Sequence, residues 1–345
     1  MATIKDVAER AGVAPSTVSY VLSGSRKISE ETQNAVRAAI RELGYHPRAS
    51  ARALRSARSD VIVLAVPRET GKYRAMDGRF AIEFSDAARE HGYDVLMMTD
   101  QDGVGGLRRI ARSGLADAAV LMAVQVQDPR VAALRELRFP TALLGHGSEH
   151  DEADVPWVDL DWEAAVSLAV RETAAAGHRR IVFLSSADHE IEARRGYAMH
   201  GLDGARAAAA HTGADVRIQQ SSGDPQVLAK RLREVLLTDP ATRPTALVVQ
   251  HLILLPELLR ELAELGLKVP EDLSVVLVGT LPDEPALADF PRIELPVGRM
   301  SAAVAELAVA AIAARPGAAG TAPAPEVSHQ LITPVMAEGA VIPPP

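Results

Sequence analysis

Beyond residue 60 the chain alternates short apolar runs with longer amphipathic stretches, and no other feature restricts its fold as strongly. The apolar runs predict the strands Val61–Val66, Asp94–Met98, Ala118–Ala123, Thr141–Leu144, Arg180–Ser185, Val216–Gln219, Thr245–Val249, Ser274–Val278 and Val327–Leu331. The stretches between them predict the helices Arg79–His91, Gly106–Ser113, Pro129–Leu137, Trp162–Ala176, Gly204–Thr212, Pro225–Leu237 and Pro256–Leu265. Because such units build parallel sheets with right-handed crossovers, we expect two parallel sheets with ligand sites at the carboxyl ends of their strands.

The amino-terminal segment has a different pattern, which predicts three short helices. Thr3 is a good N-cap for Ile4–Ala11, and Pro15 suits the first turn of a second helix that ends near Leu22. Ser29 caps the third helix, Glu30–Leu43.

Three small or apolar residues give the first two helices a specific relationship. Ala8, Gly12 and Val18 stand at the offsets of a helix-turn-helix, with a small residue inside the first helix, a glycine in the turn and an apolar residue inside the second. The spacing predicts a DNA-binding head.

The charge distribution supports this prediction. The whole chain of 345 residues carries −8, but residues 1–58 hold ten basic and five acidic residues, whereas the remainder holds 27 basic and 40 acidic residues. A basic head on an acidic body is typical of a polyanion-binding module joined to a separate domain. The chain has no cysteine, no apolar leader and no run of the ~18 apolar residues that a membrane span needs. We therefore expect a cytoplasmic protein without disulfides or membrane segments.

The segment IKDVAERAGVAPSTVSYVLSGSRKISEETQNAVRAAIRELGYHPRASARALRS resembles the head of the LacI/GalR family of transcriptional regulators. The rest of the chain resembles that family's core of two Rossmann-like lobes, a type I periplasmic-binding-protein-like fold. The resemblance implies an all-α helix-turn-helix domain at 1–45, a hinge helix and linker at 46–60, a core at 61–335 and a tail at 336–345. We expect one lobe to take about 61–160 and 292–315, the other about 162–290 and 325–335, and the end of the tail, Ile342–Pro345, to be disordered.

The resemblance also places residues on double-stranded operator DNA. The second helix would lie in the major groove, with Pro15, Ser16 and Tyr20 at base edges. Tyr20 departs from the family pattern, which commonly has arginine there, so the operator should differ at that base pair. Phosphate contacts are expected from Thr17, Ser19, Ser23 and Lys27.

The hinge is the second element that the resemblance places on DNA. Leu54 would wedge between base pairs in the minor groove, and the neighbouring contacts would come from Arg48, Ala51, Arg52 and Arg55. The alternative is a solvated basic linker.

Candidate effector contacts lie where predicted strands end or cross between lobes: Arg68, Tyr73, Gln125, Asp161, Trp162, Arg194, Gln250, His251 and Thr280. Trp162 is equally suited to packing at a helix start. Arg194 is one residue out of step with the family's Arg-x-x-Gly-aromatic segment, so a solvated surface position is its alternative. Gln250–His251 and Gly279–Thr280 stand where sugar-responsive members have Asn-Asp and Gly-Phe-Asp. A sugar is therefore only the family default, and a ligand with an anionic group met by Arg68 or Arg194 fits equally well.

No nucleotide-binding or nucleophile motif occurs in the sequence, and we expect no enzyme activity, cofactor or metal. His146 and His150 have metal-ligand spacing, but the segment around them has two glycines and several acids, which favours a mobile acidic loop. The expected protein is a homodimeric repressor controlled by a small-molecule effector between its lobes, with Pro225–Leu237 and Pro256–Leu265 as possible dimer helices. The alternative is a cytoplasmic small-molecule enzyme with an incidental helical amino terminus.

Overall fold

The computed structural model describes most of the chain: residues 2–23, 26–45, 58–67, 75–99, 103–148, 152–237, 239, 242–250, 255–282, 285–315, 327–338 and 341–345. Within these ranges, no helix combines the length and the apolar character that crossing a bilayer requires.

The head is a three-helix unit. Its helices are α1 (Ile4–Arg10), α2 (Pro15–Ser23) and α3 (Glu30–Leu43). Thr3 and Asp6 form a capping box at the start of α1, which satisfies amide groups that the first helical turn leaves open. The core of the head consists of the buried side chains of Val7, Ala8, Val18, Val36 and Ala39.

The first lobe is built on a six-stranded parallel sheet. Its elements are β1 (Val61–Ala65), α4 (Ala75–Glu90), β2 (Asp94–Met98), α5 (Val104–Ser113), β3 (Ala118–Met122), α6 (Pro129–Glu136), β4 (Thr141–Leu144), β5 (Trp157–Leu160), α12 (Val297–Ala313) and β11 (His329–Ile332). The strand order is β11-β5-β4-β3-β1-β2. Helix α12 packs on α4 and on β3, β4 and β5.

The second lobe is built on a five-stranded parallel sheet. Its elements are α7 (Trp162–Ala175), β6 (Arg180–Ala187), α8 (Asp188–Glu192), α9 (Gly196–Thr212), β7 (Asp215–Ser221), α10 (Pro225–Leu236), β8 (Ala246–Gln250), α11 (Leu255–Glu264), β9 (Ser274–Thr280), a short 3-10 helix (Pro285–Leu287) and β10 (Arg292–Glu294). The strand order is β10-β9-β8-β6-β7. The predicted fold class, a helical head with two parallel α/β lobes, is confirmed.

The predicted division between the lobes is wrong in two places. Strand β11 was assigned to the second lobe, but it pairs with β5, with His329 opposite Trp157 and Ile332 opposite Leu160. Strand β10 was assigned to the first lobe, but it pairs with β9 of the second. Both strands are short and flank a crossover, so their sequences alone do not show which sheet offers a free edge.

The predicted disorder of the tail is wrong for its described residues. The backbone of Met336 forms an isolated antiparallel bridge with Ile293. The carbonyl of Pro343 accepts hydrogen bonds from Nε2 of His178 at 2.8 Å and from the hydroxyl of Ser274 at 3.1 Å. The tail therefore packs against the second lobe.

Candidate functional site

Helix α2 exposes one polar face. Val18 is fully buried in the head core, and this fixes which side of the helix points outward. Ser16 and Tyr20 are exposed on that outer side, one helical turn apart, and Pro15 is exposed at the first position of the helix. The Ser19 hydroxyl instead donates a hydrogen bond to the carbonyl of Pro15 at 3.1 Å.

The remaining predicted DNA contacts are only partly described. Thr17 is half-buried and Lys27 is exposed. The structure says nothing of the Ser23 side chain, and Arg48, Ala51, Arg52, Leu54 and Arg55 lie outside the described residues.

The lobes enclose a small cavity where strands of the first lobe end. Its volume is about 60 Å³, and it is lined by Met76, Asp77, Phe80, Met122, Ala123, Val124, Leu144, Gly145, His146, Asp159, Trp162, Tyr197, Leu295 and Met300. Pockets for drug-sized ligands usually measure about 300–1,000 Å³. The cavity bounded by the described residues is therefore smaller than such a pocket.

Asp159 is the polar centre of this cavity. Its Oδ1 accepts a hydrogen bond from the indole Nε1 of Trp162 at 3.1 Å. Its Oδ2 accepts one from the backbone amide of His146 at 3.1 Å and lies 3.0 Å from the Nδ1 of the same residue. Trp162 is buried at the start of α7, which confirms that it packs there, and its ring also lines the cavity.

Four aromatic rings form a column that passes from one lobe to the other. His329 stacks on Trp157 with centroids 4.8 Å apart, and Trp157 stacks on His146 at 4.4 Å. His146 in turn stacks at 4.3 Å on His200, which belongs to helix α9 of the second lobe. Burial, and next the neighbouring His146, lower the pKa of His200, so its imidazole is held neutral in this stack.

A short backbone pairing joins the lobes beside this column, and we name it the interlobe latch: residues 123–126 against residues 194–196. The Gly196 amide donates to the carbonyl of Val124 at 2.9 Å, and the Val126 amide donates to the carbonyl of Arg194 at 2.9 Å. The guanidinium of Arg195 donates to the carbonyl of Ala123.

Glycine is essential to this close approach. A Cβ built at Gly196 would lie 1.7 Å from the carbonyl oxygen of His146, and one at Gly147 would lie 2.2 Å from the carbonyl oxygen of Gln125. Real Cβ atoms do not approach backbone oxygens so closely. A side chain at Gly196 would therefore push the lobes apart, whereas one at Gly147 would displace Gln125 within the first lobe.

A buried ion pair holds the first-lobe half of the latch. The Arg130 guanidinium donates to Asp128 at 2.6 Å and to the carbonyls of Met122 at 3.0 Å and Ala123 at 3.3 Å. Burial by itself would raise the pKa of Asp128, but the hydrogen bonds and charge of Arg130 lower it overall, so the carboxylate is ionised.

The predicted effector residues do not all meet at the cavity. Gln125 lies in the latch, where its backbone bridges to Arg195. Arg194 is exposed, and the guanidinium that reaches across the lobes is Arg195, one residue later than predicted. Asp161 caps α7 by accepting from the amide of Ala164 at 2.9 Å.

Two further predicted contacts are buried in the second lobe, outside the cavity lining. Gln250 is fully buried and donates to the carbonyl of Tyr197 at 2.7 Å. The Thr280 hydroxyl is buried without a hydrogen-bond partner among the described residues. Arg68, Tyr73 and His251 lie outside the described residues.

Two members of the acidic loop predicted around His146 are buried instead of solvent-exposed. His146 is 6% exposed and Glu152 is 1% exposed. Both carboxylate oxygens of Glu152 lie within hydrogen-bond distance of the Gly147 amide, at 3.1 and 3.0 Å. Burial raises the pKa of Glu152 to about 7. The described residues contain no group of three or more potential ligands able to hold a metal ion.

The position of His146 in the sequence indicates that it belongs to this site. His146 lies one glycine beyond the predicted strand Thr141–Leu144, which places it at a carboxyl end where ligands bind. Asp159 could not be found in the same way, because the short strand β5 was not predicted.

Comparisons with known proteins agree with this architecture. The family model "Bacterial regulatory proteins, lacI family" matches residues 3–48, and the model "Periplasmic binding protein-like domain" matches residues 170–332. The chain is 31% identical over 281 residues to the transcriptional repressor PurR of Pectobacterium carotovorum, covering 80% of each chain. It is 28% identical over 283 residues to the transcriptional regulator AglR of Rhizobium meliloti, covering 79% of this chain and 76% of the relative.

Solved structures establish the fold. The lac repressor dimer bound to operator and the anti-inducer ONPF superimposes with a TM-score of 0.77 at 20% identity, covering 98% of both chains. The complex of the transcriptional regulator CelR with cellobiose gives a TM-score of 0.67 at 24% identity, again over 98% of both chains. Taken with the match of the head and the 31% identity to a repressor over four-fifths of both chains, these similarities show that the chain belongs to the lacI family of bacterial regulatory proteins.

Proposed function

We propose that the chain is a homodimeric, operator-binding transcriptional repressor whose DNA affinity is set by a small metabolite bound between the core lobes. The observation that carries this proposal is a folded helix-turn-helix with an outward polar face on α2, in one chain with a two-lobed core. Its relatives are named as transcriptional regulators and repressors, which favours regulation over catalysis. A regulator of this kind acts on DNA in the cytoplasm.

DNA reading is assigned to α2. Ser16 and Tyr20, on the outer side of the helix, and Pro15, exposed at its first position, meet base edges in the major groove. Thr17, Ser19, Ser23 and Lys27 supply phosphate contacts that fix the register of the helix. The hinge residues Arg48, Ala51, Arg52, Leu54 and Arg55 act in the minor groove, with Leu54 as the wedge.

Effector binding is assigned to the cavity between the lobes. Trp162 and Tyr197 offer rings, and Asp159 offers a carboxylate already oriented by two hydrogen-bond donors. Gln125 and Arg195 lie beside the cavity in the latch. The described lining holds no Lys or Arg, so a ligand with an anionic group would need Arg195 to leave the carbonyl of Ala123.

The latch gives the effector a means of control. A metabolite too large for a cavity of about 60 Å³ binds only when the lobes separate, which breaks the pairing of residues 123–126 with residues 194–196. A ligand shifts such an equilibrium by its difference in affinity for the two states. The strands that cross between the lobes then carry the change towards the head.

The homodimer has two candidate surfaces. Helices α10 and α11, predicted from the sequence, expose Val227 but are covered by ion pairs such as Arg233–Glu261. Helix α4 and the edge strand β2 expose larger apolar groups, namely Ile82, Leu96 and Met97. Since a free sheet edge with apolar side chains favours association, we assign the main dimer contact to α4 and β2.

Gel-shift and footprinting assays on the DNA upstream of the protein's own gene test the proposal. We expect binding that prefers one sequence, shows footprints on two half-sites and weakens steeply as salt rises. A metabolite that changes this affinity identifies the effector. Absence of any sequence preference, with and without candidate metabolites, would contradict the proposal.

A further inference from the structure

The chain enters the first lobe at the amino ends of β1 and β3. The predicted linker ends at residue 60, and β1 follows from Val61. Asp117 directly precedes β3, and its side chain lies beside the end of the linker although the residue is only 5% exposed. We name this group the linker anchor: Ser59, Asp60 and Asp117. It lies where the segment that carries the head joins the core.

The Asp117 carboxylate binds two consecutive backbone amides of the linker. The Ser59 amide donates to Oδ1 at 2.9 Å and to Oδ2 at 3.1 Å, and the Asp60 amide donates to Oδ2 at 2.9 Å. The backbone of Asp117 pairs with the next residue, because its amide donates to the carbonyl of Val61 at 2.8 Å. Hydrogen bonds from backbone amides to a carboxylate are among the stronger ones in proteins. One buried side chain thus restrains the last two residues of the linker.

The backbone turns sharply at this point. Asp60 has a φ of 54°, in the left-handed region that few residues other than glycine adopt, although aspartate tolerates it better than most. The amide of Asp60 donates to Asp117, and its carbonyl accepts from the amide of Asp94, the first residue of β2, at 2.9 Å. Contacts with two neighbouring strands therefore stabilise the turn that sets the direction in which the linker leaves the core.

A single buried strand joins the linker anchor to the interlobe latch. Strand β3 begins directly after Asp117 and is buried along its whole length. Just beyond its carboxyl end, the carbonyl of Ala123 accepts from the guanidinium of Arg195 in the latch. Five residues of strand span only about 17 Å, at ~3.3 Å per residue. Because a packed strand of this length is stiff, a displacement of the first lobe at the latch also displaces the anchor.

We propose that Asp117 is a positioning residue for operator binding, which fixes the linker on the first lobe so that the linker leaves the core in one direction. The inference rests on the proposed function, because it takes the head as the part that reads DNA. The two heads of a dimer bind an operator only at the spacing of its half-sites. A linker released from Asp117 has more conformations, and specific binding must then restrict them at a cost in entropy. Non-specific binding depends mainly on charge and accepts many arrangements of the heads.

The test compares the full-length wild type with Asp117→Asn and Asp117→Ala. The matched controls are Asp224→Asn and Asp224→Ala. The Asp224 carboxylate also accepts from two backbone amides, those of Gln226 at 2.8 Å and Val227 at 3.4 Å, but it caps α10 in the second lobe. The controls therefore remove the same kind of contact without touching the linker.

Affinity is measured for two duplexes of equal length, one that the wild type selects from a randomised library and one of unrelated sequence. Asp117→Ala should bind the selected duplex about tenfold more weakly, since releasing the backbone of one residue corresponds to about that change in an equilibrium constant. Asp117→Asn should lose less, because its side chain keeps one acceptor oxygen. Binding to the unrelated duplex should stay as in the wild type, and both Asp224 variants should bind both duplexes normally.

Hydrogen exchange shows directly whether the linker is released. The amides of Ser59 and Asp60 should exchange faster in the Asp117 variants, whereas the buried amides of β3 should keep their protection. This pattern separates release of the linker from unfolding of the lobe. If thermal denaturation shows that Asp117→Ala does not fold, the same comparisons are made with Asp117→Asn.

Three outcomes overturn the inference, and they are distinguishable. Unchanged exchange of the Ser59 and Asp60 amides would show that Asp117 does not restrain the linker. Faster exchange with wild-type affinity for the selected duplex would show that the restraint serves the core and not DNA binding. In both cases the proposed function stands. If the wild type selects no sequence at all, the proposed function fails and the role of Asp117 in operator binding fails with it.

Discussion

Replacing Glu152 with glutamine should make the stability of the core less dependent on pH. The Glu152 carboxyl group is 1% exposed, and its raised pKa of about 7, against an ordinary value of 4.5, reflects mainly burial. A group whose pKa rises on folding contributes stability below its unfolded pKa and loses it as pH increases through the folded pKa. The wild type should therefore lose stability as the pH rises from 4.5 to about 7.

The size of the effect follows from the two pKa values. At 1.36 kcal/mol per pH unit, a rise from 4.5 to about 7 corresponds to about 3 kcal/mol once the carboxylate is fully ionised. The glutamine oxygen can still accept a hydrogen bond from the Gly147 amide. The described contacts of Glu152 offer no acceptor for the glutamine NH₂ group, and burying this group without a hydrogen bond costs about 1 kcal/mol. Because the wild type has already lost about 1 kcal/mol at pH 5, Glu152→Gln should be about as stable as the wild type at that pH and more stable by about 2 kcal/mol at pH 8.5.

Thermal denaturation of both proteins from pH 5 to pH 8.5 measures this difference. Asp154→Asn is the matched control, because Asp154 lies two residues away but is exposed and has a pKa lowered mainly by its hydrogen bond with Arg135. That variant should show no gain at high pH. If Glu152→Gln differs from the wild type by the same amount at every pH, the carboxyl group does not titrate in this range and the reasoning is refuted.

Three further predictions concern contacts between lobes and between chains. Gly196→Ala should weaken lobe closure, because the added methyl group would meet the carbonyl oxygen of His146. Small-angle scattering should then show an expanded core, and an unchanged profile would mean that the latch does not hold the lobes together. Met97→Glu should shift the dimer–monomer equilibrium towards monomer in analytical ultracentrifugation, whereas the control Val227→Glu should not. The reverse result would assign the dimer contact to α10 instead of α4 and β2. His200→Phe should reduce the drop in melting temperature between pH 7 and pH 5. The reason is that a histidine with a lowered pKa in the folded protein contributes stability that disappears as the pH falls. An identical drop in both proteins would show that His200 does not cause the pH dependence.

The sequence was most informative where a local pattern determines the structure. Helix α3 begins after its Ser29 cap and ends at Gly44, which has a left-handed φ of 54°, as the sequence predicted. Helix α12 was missed because Val297–Ala313 is apolar on nearly all sides, so it lacks the periodicity that identifies a half-exposed helix. Its burial against α4 and three strands explains that composition.

The interlobe site was harder to predict because its contacts join residues that are distant in the chain. The sequence placed Gln125 near the site, because strand ends in a parallel sheet meet at one edge. Its pairing with Arg195 could not be predicted, since that contact depends on how closely the two lobes approach. Gly196 permits that approach, and Gly147 lets the chain after β4 pack against Gln125 within the first lobe, but a missing side chain leaves no local pattern to read. Opening the lobes breaks the backbone hydrogen bonds of the latch, the contact of Arg195 with the carbonyl of Ala123, and the stack of His146 on His200. Under the proposed function, an effector therefore opens this core only if it binds the separated lobes better than the closed ones.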